Sequence, residues 1–258
     1  MVAFQEIDGC SIASWINDGG FSESRKNLVF VHGSGGNQAL WERQYREFAD
    51  ECNIVGVNLP GHGQSEGTGE REVGRYVEWV KKIVEGYGLK KPVLVGHSLG
   101  AAISLTFAIQ YGEMLSGIVP VGSGVRMPVN EMILEGVRTD AVSTLALVAK
   151  FSVAKENREQ FTQAIIDDML QVKSEIIYGD FLSCENLDIT DAVATIRVPT
   201  LLICGEDDKM TPPALSQFIK EEIAGAELAV IKGAGHFVMQ ENAGDFNTAL
   251  RNFIRRIP

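Results

Sequence analysis

The residues with the clearest chemical potential lie in the middle of the chain, where residues 96–100 read Gly-His-Ser-Leu-Gly. An apolar run at 92–95 precedes this G-x-S-x-G motif, and a helical pattern begins at Ser98. In such a setting a serine lies on a sharp strand-to-helix turn, where small neighbours expose its hydroxyl and the helix N-terminus points at it. The motif therefore predicts that Ser98 is a nucleophile and not an ordinary loop serine.

A serine hydroxyl is weakly nucleophilic at neutral pH, so it needs a nearby base and an acid that orients the base. The chain has four histidines. His236 follows the last predicted strand, in a loop with small residues before it, and is the best candidate for the base. His97 adjoins the serine, but on a tight turn its side chain points away from the Ser98 hydroxyl. His32 and His62 are expected to support loops.

The orienting carboxylate should follow a strand that lies between the nucleophile and the base in chain order. The apolar run 200–204 is followed by a loop that contains Asp207 and Asp208, bracketed by Gly205 and Pro212. We favour Asp208 as the acid. Asp207 would then be a solvated loop residue or a helix-capping residue.

Acyl transfer also needs N–H donors aimed at the oxygen on which negative charge develops. Residues 32–36, His-Gly-Ser-Gly-Gly, leave the first core strand as a glycine-rich loop whose backbone can approach a substrate closely. The backbone N–H groups of Ser34 and Leu99 are the predicted donors. The loop does not match a phosphate-binding loop, because it lacks the lysine of G-x-x-x-x-G-K-[ST] and is not G-x-G-x-x-G.

The elements that must position these residues alternate along most of the chain. Residues 2–18 alternate apolar and polar around Asp8 and Gly9, which predicts an antiparallel hairpin. Short apolar runs then predict buried strands, and amphipathic helices lie between most of them. This alternation is typical of an α/β protein with a doubly wound, mostly parallel sheet. The predicted buried strands are 28–31, 53–57, 92–95, 115–121 and 200–203, with a further strand near 227–231. The predicted helices are 39–49, 72–87, 98–111, 214–223 and 245–257.

The alternation stops between Val125 and Thr195, where helical patterns such as 144–151 and 159–173 replace the strands. The sequence therefore predicts a core formed by residues 1–124 and 196–258, and a helical cap, or lid, inserted at 125–195. Such an insertion lies over the edge of the sheet where loops carry chemistry. Met127, Met132 and Met169 within it could contact substrate, although filling the core of the cap is the better-supported use.

Five motifs in this order resemble the lid-bearing serine esterase and hydrolase branch of the α/β-hydrolase fold superfamily. The resemblance extends over the whole chain. It implies that the acid is the fourth residue of the G-x-x-D loop, which is Asp208. A serine at position 98 disfavours dehalogenase and epoxide hydrolase activity, because both of these use a carboxylate nucleophile. The motifs are 31–34 for the oxyanion loop, 59–65 for the following turn, 96–100 for the nucleophile, 205–208 with Pro212 for the acid, and 235–236 with Glu241 for the base.

Some positions depart from the family pattern. Asn58 stands where many relatives carry Asp, and Ala243 stands where Pro often follows the position of Glu241. The oxyanion loop lacks the proline of the His-Gly-Ser-Gly-Pro-Gly loop common in hydrolases that cleave carbon–carbon bonds of ring-fission products. Phe237 also stands where those enzymes often have Trp. These departures make that substrate class less expected.

The composition limits the possible partners. Among 258 residues, 23 are Lys or Arg and 34 are Asp or Glu, which gives a net charge of −11. Nucleic acids and anionic lipid surfaces attract clustered basic residues, so the acidic balance argues against both partners.

The cysteines are scattered without metal-ligand spacing, which predicts reduced thiols and no zinc site. The sequence shows neither a basic leader nor an apolar membrane span, which favours a cytoplasmic protein. The cysteines are Cys10, Cys52, Cys184 and Cys204.

Together these residues predict a carboxylic-ester hydrolase that acts on a small or medium acyl ester, with no metal or organic cofactor. The alternatives are carbon–carbon hydrolysis of ring-fission products, lactone hydrolysis, cofactor-free perhydrolysis or cyanohydrin cleavage by the same triad, and a non-catalytic binding protein. The oligomeric state, monomer or homodimer, stays open. Residues 125–195 carry −6 of the −11 net charge, so we expect neutral esters to be preferred to strongly anionic ones.

Overall fold

The centre of the computed structural model, which describes residues 1–257, is a single eight-stranded sheet. The strands are β1 (Val2–Ile7), β2 (Cys10–Ile16), β3 (Lys26–Val31), β4 (Cys52–Val57), β5 (Val93–His97), β6 (Gly117–Val121), β7 (Leu201–Gly205) and β8 (Glu227–Ile231). Their order is β1-β2-β4-β3-β5-β6-β7-β8. The two pairings of β2 are antiparallel and all others are parallel. The predicted doubly wound sheet with an N-terminal hairpin is confirmed.

The apolar runs of the sequence form the central strands β3 to β7, which are covered on both faces, whereas β8 at the edge of the sheet is largely exposed or half-buried. Successive residues of a strand point to opposite faces, and β3 divides accordingly: Val29 and Val31 join one hydrophobic cluster, Leu28 and Phe30 the other. The first cluster includes residues of α2 (Val73–Gly86), α3 (Leu99–Tyr111) and α8 (Pro213–Glu222). The second includes residues of α1 (Glu42–Phe48), α9 (Val238–Glu241) and α10 (Ala243–Arg256).

Four helices connect β6 to β7, within the predicted insertion. They are α4 (Glu131–Thr139), α5 (Ala141–Ser152), α6 (Arg158–Met169) and α7 (Ser174–Glu185). They form a third hydrophobic cluster of their own. Asn130 and Asp140 cap α4 and α5, because their side chains accept hydrogen bonds from the free N–H groups of Met132 and Ser143. The division into core and cap stays a prediction.

Several helix boundaries differ from the prediction. The predicted helix 39–49 is a short 3₁₀ segment, Gln38–Trp41, followed by α1. The helical pattern at 159–173 ends at Met169, and a separate helix, α7, begins at Ser174. All four cysteines are free thiols. In the part of the chain that the structure describes, the helices are too short or too polar to cross a membrane.

Candidate active site

Ser98 occupies the turn between β5 and α3 with φ 53° and ψ −113°, a conformation that residues other than glycine rarely adopt. Its N–H donates a hydrogen bond to the carbonyl oxygen of Val121, which ties the turn to the end of β6 (2.9 Å). A Cβ atom on Gly96 would lie 1.9 Å from the Gly100 carbonyl oxygen, and one on Gly100 would lie 2.4 Å from that of Val31. The turn therefore requires glycine on both sides of the serine.

The structure brings His236 and Asp208 together. His236 Nδ1 lies 2.8 Å from Asp208 Oδ2. Asp208 Oδ1 accepts hydrogen bonds from the backbone N–H groups of Met210 and Thr211, each at 2.9 Å. Burial disfavours the charged carboxylate, but His236 and the Thr211 hydrogen bonds outweigh it and lower the pKa of Asp208. The side chain of Asp207, in contrast, is exposed.

Ser98 and His236 line the same pocket, whose empty space, including its open mouth, is about 640 Å³. Loops that follow the strands contribute residues to the pocket lining, and so do α5, α6 and α7. The wall is mostly apolar, and among the described residues Asp168 is the one Asp or Glu that lines it. The apolar lining residues are Leu40, Val148, Ile165, Met169, Phe181, Met210 and Phe237.

Of the three methionines singled out in the sequence, only Met169 lines this pocket. Met127 is buried in the hydrophobic cluster shared with the core, and Met132 is 80% exposed. Met169 also belongs to the hydrophobic cluster of the four helices. Met169 therefore packs in the helical cluster and is also placed where it could contact a substrate.

The two residues predicted to supply the oxyanion donors are both found at the nucleophile's turn or its pocket. Leu99 is the first residue of α3, and Ser34 lines the pocket. Among the hydrogen bonds within residues 1–257, none has the N–H of Ser34 or Leu99 as its donor. A Cβ atom on Gly33 would lie 3.1 Å from Ser98 Cβ, so the glycine-rich loop passes directly against the nucleophile. Both N–H groups are thus available to an oxygen held near Ser98.

The remaining histidines make hydrogen bonds that stabilise loops. His97 donates from Nε2 to the carbonyl oxygen of His236 (3.0 Å), and burial and the nearby His236 hold its pKa well below the usual value. His32 Nδ1 donates to the Gly33 carbonyl oxygen, while Nε2 accepts from the N–H of Leu59 (3.1 Å). Burial and then His62 lower the pKa of His32 to about 3. Both histidines are therefore neutral and hold backbone around Ser98.

Two contacts around His236 were not predicted from the sequence. The Thr211 hydroxyl donates to Asp208 Oδ2 (2.9 Å) and lies 3.1 Å from His236 Nδ1. The N–H of His236 donates to the carbonyl oxygen of Ser152, the last residue of α5, at 2.6 Å. The position of Thr211, three residues after Asp208, could have suggested the first contact. The second joins residues 84 positions apart in sequence, and no local pattern marks it.

The model of the alpha/beta hydrolase family matches residues 28–249. A 2-hydroxy-6-oxononadienedioate/2-hydroxy-6-oxononatrienedioate hydrolase of a Pseudomonas species is 25% identical, over 93% of this chain and 91% of its own length. A solved thermophilic esterase is 28% identical with a TM-score of 0.85, and the match covers 100% of this chain and 99% of that one. An enol-lactonase from Burkholderia xenovorans LB400 has a TM-score of 0.91 at 18% identity, covering 98% and 100%.

Proposed function

The chain belongs to the alpha/beta hydrolase family, and from this premise we propose that it is a serine hydrolase of small or medium carboxylic esters. Ser98 is the nucleophile, His236 the base and Asp208 the acid that orients the base. The N–H groups of Ser34 and Leu99 form the oxyanion hole. The proposal rests on the pairing of His236 with Asp208 beside a pocket that also exposes Ser98.

Each step of the proposed reaction uses one of these groups. His236 Nε2 takes the proton of Ser98 as the serine oxygen attacks the ester carbonyl, and the two N–H groups stabilise the oxyanion. Collapse of the tetrahedral intermediate transfers that proton to the leaving alcohol and leaves an acyl-enzyme on Ser98. Water, activated by His236, then attacks the acyl group, and the acid departs with the serine reprotonated. Asp208 stabilises the imidazolium that forms in each half of the reaction.

The charge of the pocket favours a neutral ester. Its lining within residues 1–257 includes no Lys or Arg, and Asp168 places a carboxylate at the mouth. A substrate that carries a carboxylate would lose water of hydration on entering and would find no basic side chain in return. This observation supports the choice of a neutral acyl ester.

We further propose that residues 125–195 act as a cap that sets acyl specificity, above a core of residues 1–124 and 196–258. Four apolar lining residues come from this segment: Val148, Ile165, Met169 and Phe181. The depth of the apolar wall they form would limit the length of the acyl chain. Activity against a series of p-nitrophenyl esters should therefore pass through a maximum at short or medium chain length.

The second candidate is hydrolysis of a carbon–carbon bond by the same triad. It is favoured by the names of curated relatives, among them the Pseudomonas hydrolase and a Burkholderia cepacia 2-hydroxy-6-oxo-6-phenylhexa-2,4-dienoate hydrolase that is 26% identical. Both named substrates are carboxylates, which the lining of this pocket does not favour. Fast turnover of a ring-fission dienoate with negligible ester turnover would select this candidate.

The deciding experiment compares wild type with Ser98→Ala on p-nitrophenyl acetate and butyrate. We expect turnover to fall to background in Ser98→Ala, because the variant has no nucleophile. Ser24→Ala, at an exposed serine outside the pocket, is the matched control and should keep wild-type turnover. Ester turnover that survives in folded Ser98→Ala would refute the assignment, and ligand-induced melting shifts without product would instead support a binding protein.

A further inference from the structure

A buried carboxylate of α7 contacts the oxyanion loop and is not used in the reaction described above. Asp180 is fully buried. Its Oδ2 accepts the N–H of Gly35 at 2.8 Å and lies 2.9 Å from His62 Nε2, while Oδ1 accepts the hydroxyl of Tyr76 at 2.5 Å. One side chain of the helical segment thus holds three separate parts of the core.

The charge of Asp180 is balanced inside the protein. Both ring nitrogens of His62 face hydrogen-bond acceptors, since Nδ1 lies 3.0 Å from the Pro60 carbonyl oxygen and Nε2 faces Asp180. Against a carboxylate, both bonds are made when both ring nitrogens carry protons, so this arrangement favours the imidazolium form of His62. Burial opposes this charge, but Asp180 outweighs it and raises the pKa of His62. A paired buried carboxylate is therefore compatible with folding.

The contact with Gly35 fixes the turn that presents an oxyanion donor. Residues 33–36 form a β-turn closed by a hydrogen bond from the Gly36 N–H to the Gly33 carbonyl oxygen (3.1 Å). Ser34 and Gly35 are its central residues, and Gly35 has φ +64°, the sign that a type II turn needs at this position. The peptide between them can rotate, because glycine tolerates both orientations. Asp180 accepts the Gly35 N–H and so stabilises this orientation of the peptide. The Ser34 N–H belongs to the preceding peptide, between Gly33 and Ser34, so Asp180 acts on it through the shape of the turn and not by direct contact.

A second contact of α7 reaches the same turn. Cys184, one helical turn after Asp180 and on the same face, places Sγ 3.9 Å from Ser34 Oγ. A Cβ atom on Gly35 would lie 3.3 Å from Ile177, also on α7. The helix therefore touches both central residues of the turn. We infer that Asp180 is a positioning residue, which holds the N–H of Ser34 where the oxyanion forms and thereby makes catalysis depend on docking of α7.

This inference rests on the proposed function, and Asp180→Ala tests it. Loss of one oxyanion donor costs about 10²- to 10³-fold in kcat, and a donor that is displaced but present should cost less. We expect kcat for p-nitrophenyl butyrate to fall about 10- to 100-fold, with KM within about threefold. Butylboronic acid, which forms a tetrahedral adduct with a serine, should bind Asp180→Ala more weakly by the same factor.

Two further variants separate positioning from simple stabilisation. Tyr76→Phe removes a partner of Asp180 and leaves the bond to Gly35, so it should lower the melting temperature and keep kcat. Asp180→Asn retains one oxygen that can accept the Gly35 N–H, so it should restore kcat to within about fivefold of wild type. If Asp180→Ala does not fold, Asp180→Ser, whose side chain is too short to reach Gly35, takes its place with the same expected loss.

The outcomes distinguish the two proposals. Ester turnover that does not depend on Ser98 overturns the proposed function and this inference together. Turnover that requires Ser98 but persists within twofold in folded Asp180→Ala, or in Asp180→Ser where it replaces that variant, overturns this inference alone. A loss of kcat in Tyr76→Phe as large as that in the Asp180 variant also overturns this inference, because Asp180 would then act only through the stability of the fold.

Discussion

Replacing Asp208 by Asn should leave His236 with its proton on the wrong nitrogen. The Oδ1 position accepts two backbone N–H groups, those of Met210 and Thr211. In Asp208→Asn these donors require the amide oxygen at that position, so the amide NH₂ must occupy the Oδ2 position. There it faces His236 Nδ1, 2.8 Å away in the wild type. An NH₂ group can only donate, so Nδ1 must accept and the ring proton moves to Nε2.

A histidine protonated at Nε2 cannot accept the proton of Ser98. The equivalent change in Ser-His-Asp proteases lowers kcat about 10⁴-fold, which corresponds to about 5 kcal/mol of transition-state stabilisation. We expect a loss of that size in Asp208→Asn, with KM little changed because Asp208 does not line the pocket. Steady-state hydrolysis of p-nitrophenyl butyrate at pH 7 measures it, and circular dichroism establishes that the variant is folded.

The neighbouring aspartate provides the matched control. Asp207 is exposed, and its N–H donates to the Ala234 carbonyl oxygen, a bond that the side chain does not affect. Asp207→Asn makes the same chemical change one residue away and should keep kcat within about twofold. If Asp208→Asn retains more than about a tenth of wild-type kcat, the hydrogen bonds of Asp208 do not control which nitrogen of His236 carries the proton. If Asp207→Asn is the more damaged variant, the acid has been misassigned.

Two further predictions concern charge. Because the pKa of His32 is about 3 when folded and near 6.5 when unfolded, only the unfolded chain takes up this proton between those pH values. The free energy of unfolding should therefore fall as the pH falls. In His32→Gln this dependence on pH should be shallower by about 1.4 kcal/mol per pH unit. Urea titrations of wild type and variant at pH 6.5, 5.5 and 4.5 measure the two dependences, and equal slopes in the two proteins would contradict the prediction. Asp168→Asn should raise kcat/KM for anionic mono-p-nitrophenyl succinate about threefold relative to neutral p-nitrophenyl butyrate at low salt. Glu159→Gln, exposed and outside the pocket, makes the same change in net charge and should leave that ratio unaltered.

The sequence predicted best what depends on neighbouring residues. The turn at Ser98 needs a strand before it, a helix after it and glycine on both sides, and all of these lie within a few positions of the serine. The hairpin at Asp8 and Gly9 is equally local, and both residues adopt positive φ. Asp208 was preferred to Asp207 on spacing, and the structure places it beside His236 while Asp207 faces solvent.

Contacts that cross the chain were not predictable in the same way. Asp180 meets Gly35 and His62 across separations of 145 and 118 residues. One local signal was available, because Asp180 lies one helical turn from both Ile176 and Cys184, on the apolar face of α7. A carboxylate on a buried helix face requires a partner, but the periodicity of one helix does not say which distant loop supplies it.

The structure also changes the expectation drawn from the charge of residues 125–195. Their excess of acidic residues includes Asp180, which is buried and lies 2.9 Å from the ring of His62, outside the segment. Exposed charges away from the pocket are screened within about 8 to 10 Å at ordinary salt. The charge that an entering substrate meets is therefore that of Asp168, the one Asp or Glu that residues 1–257 contribute to the pocket lining. Discrimination against anionic substrates should therefore depend on this residue and not on the net charge of the segment. Asp168→Asn and Glu159→Gln change the net charge equally, but only Asp168→Asn is expected to change the ratio of kcat/KM for the anionic and the neutral ester.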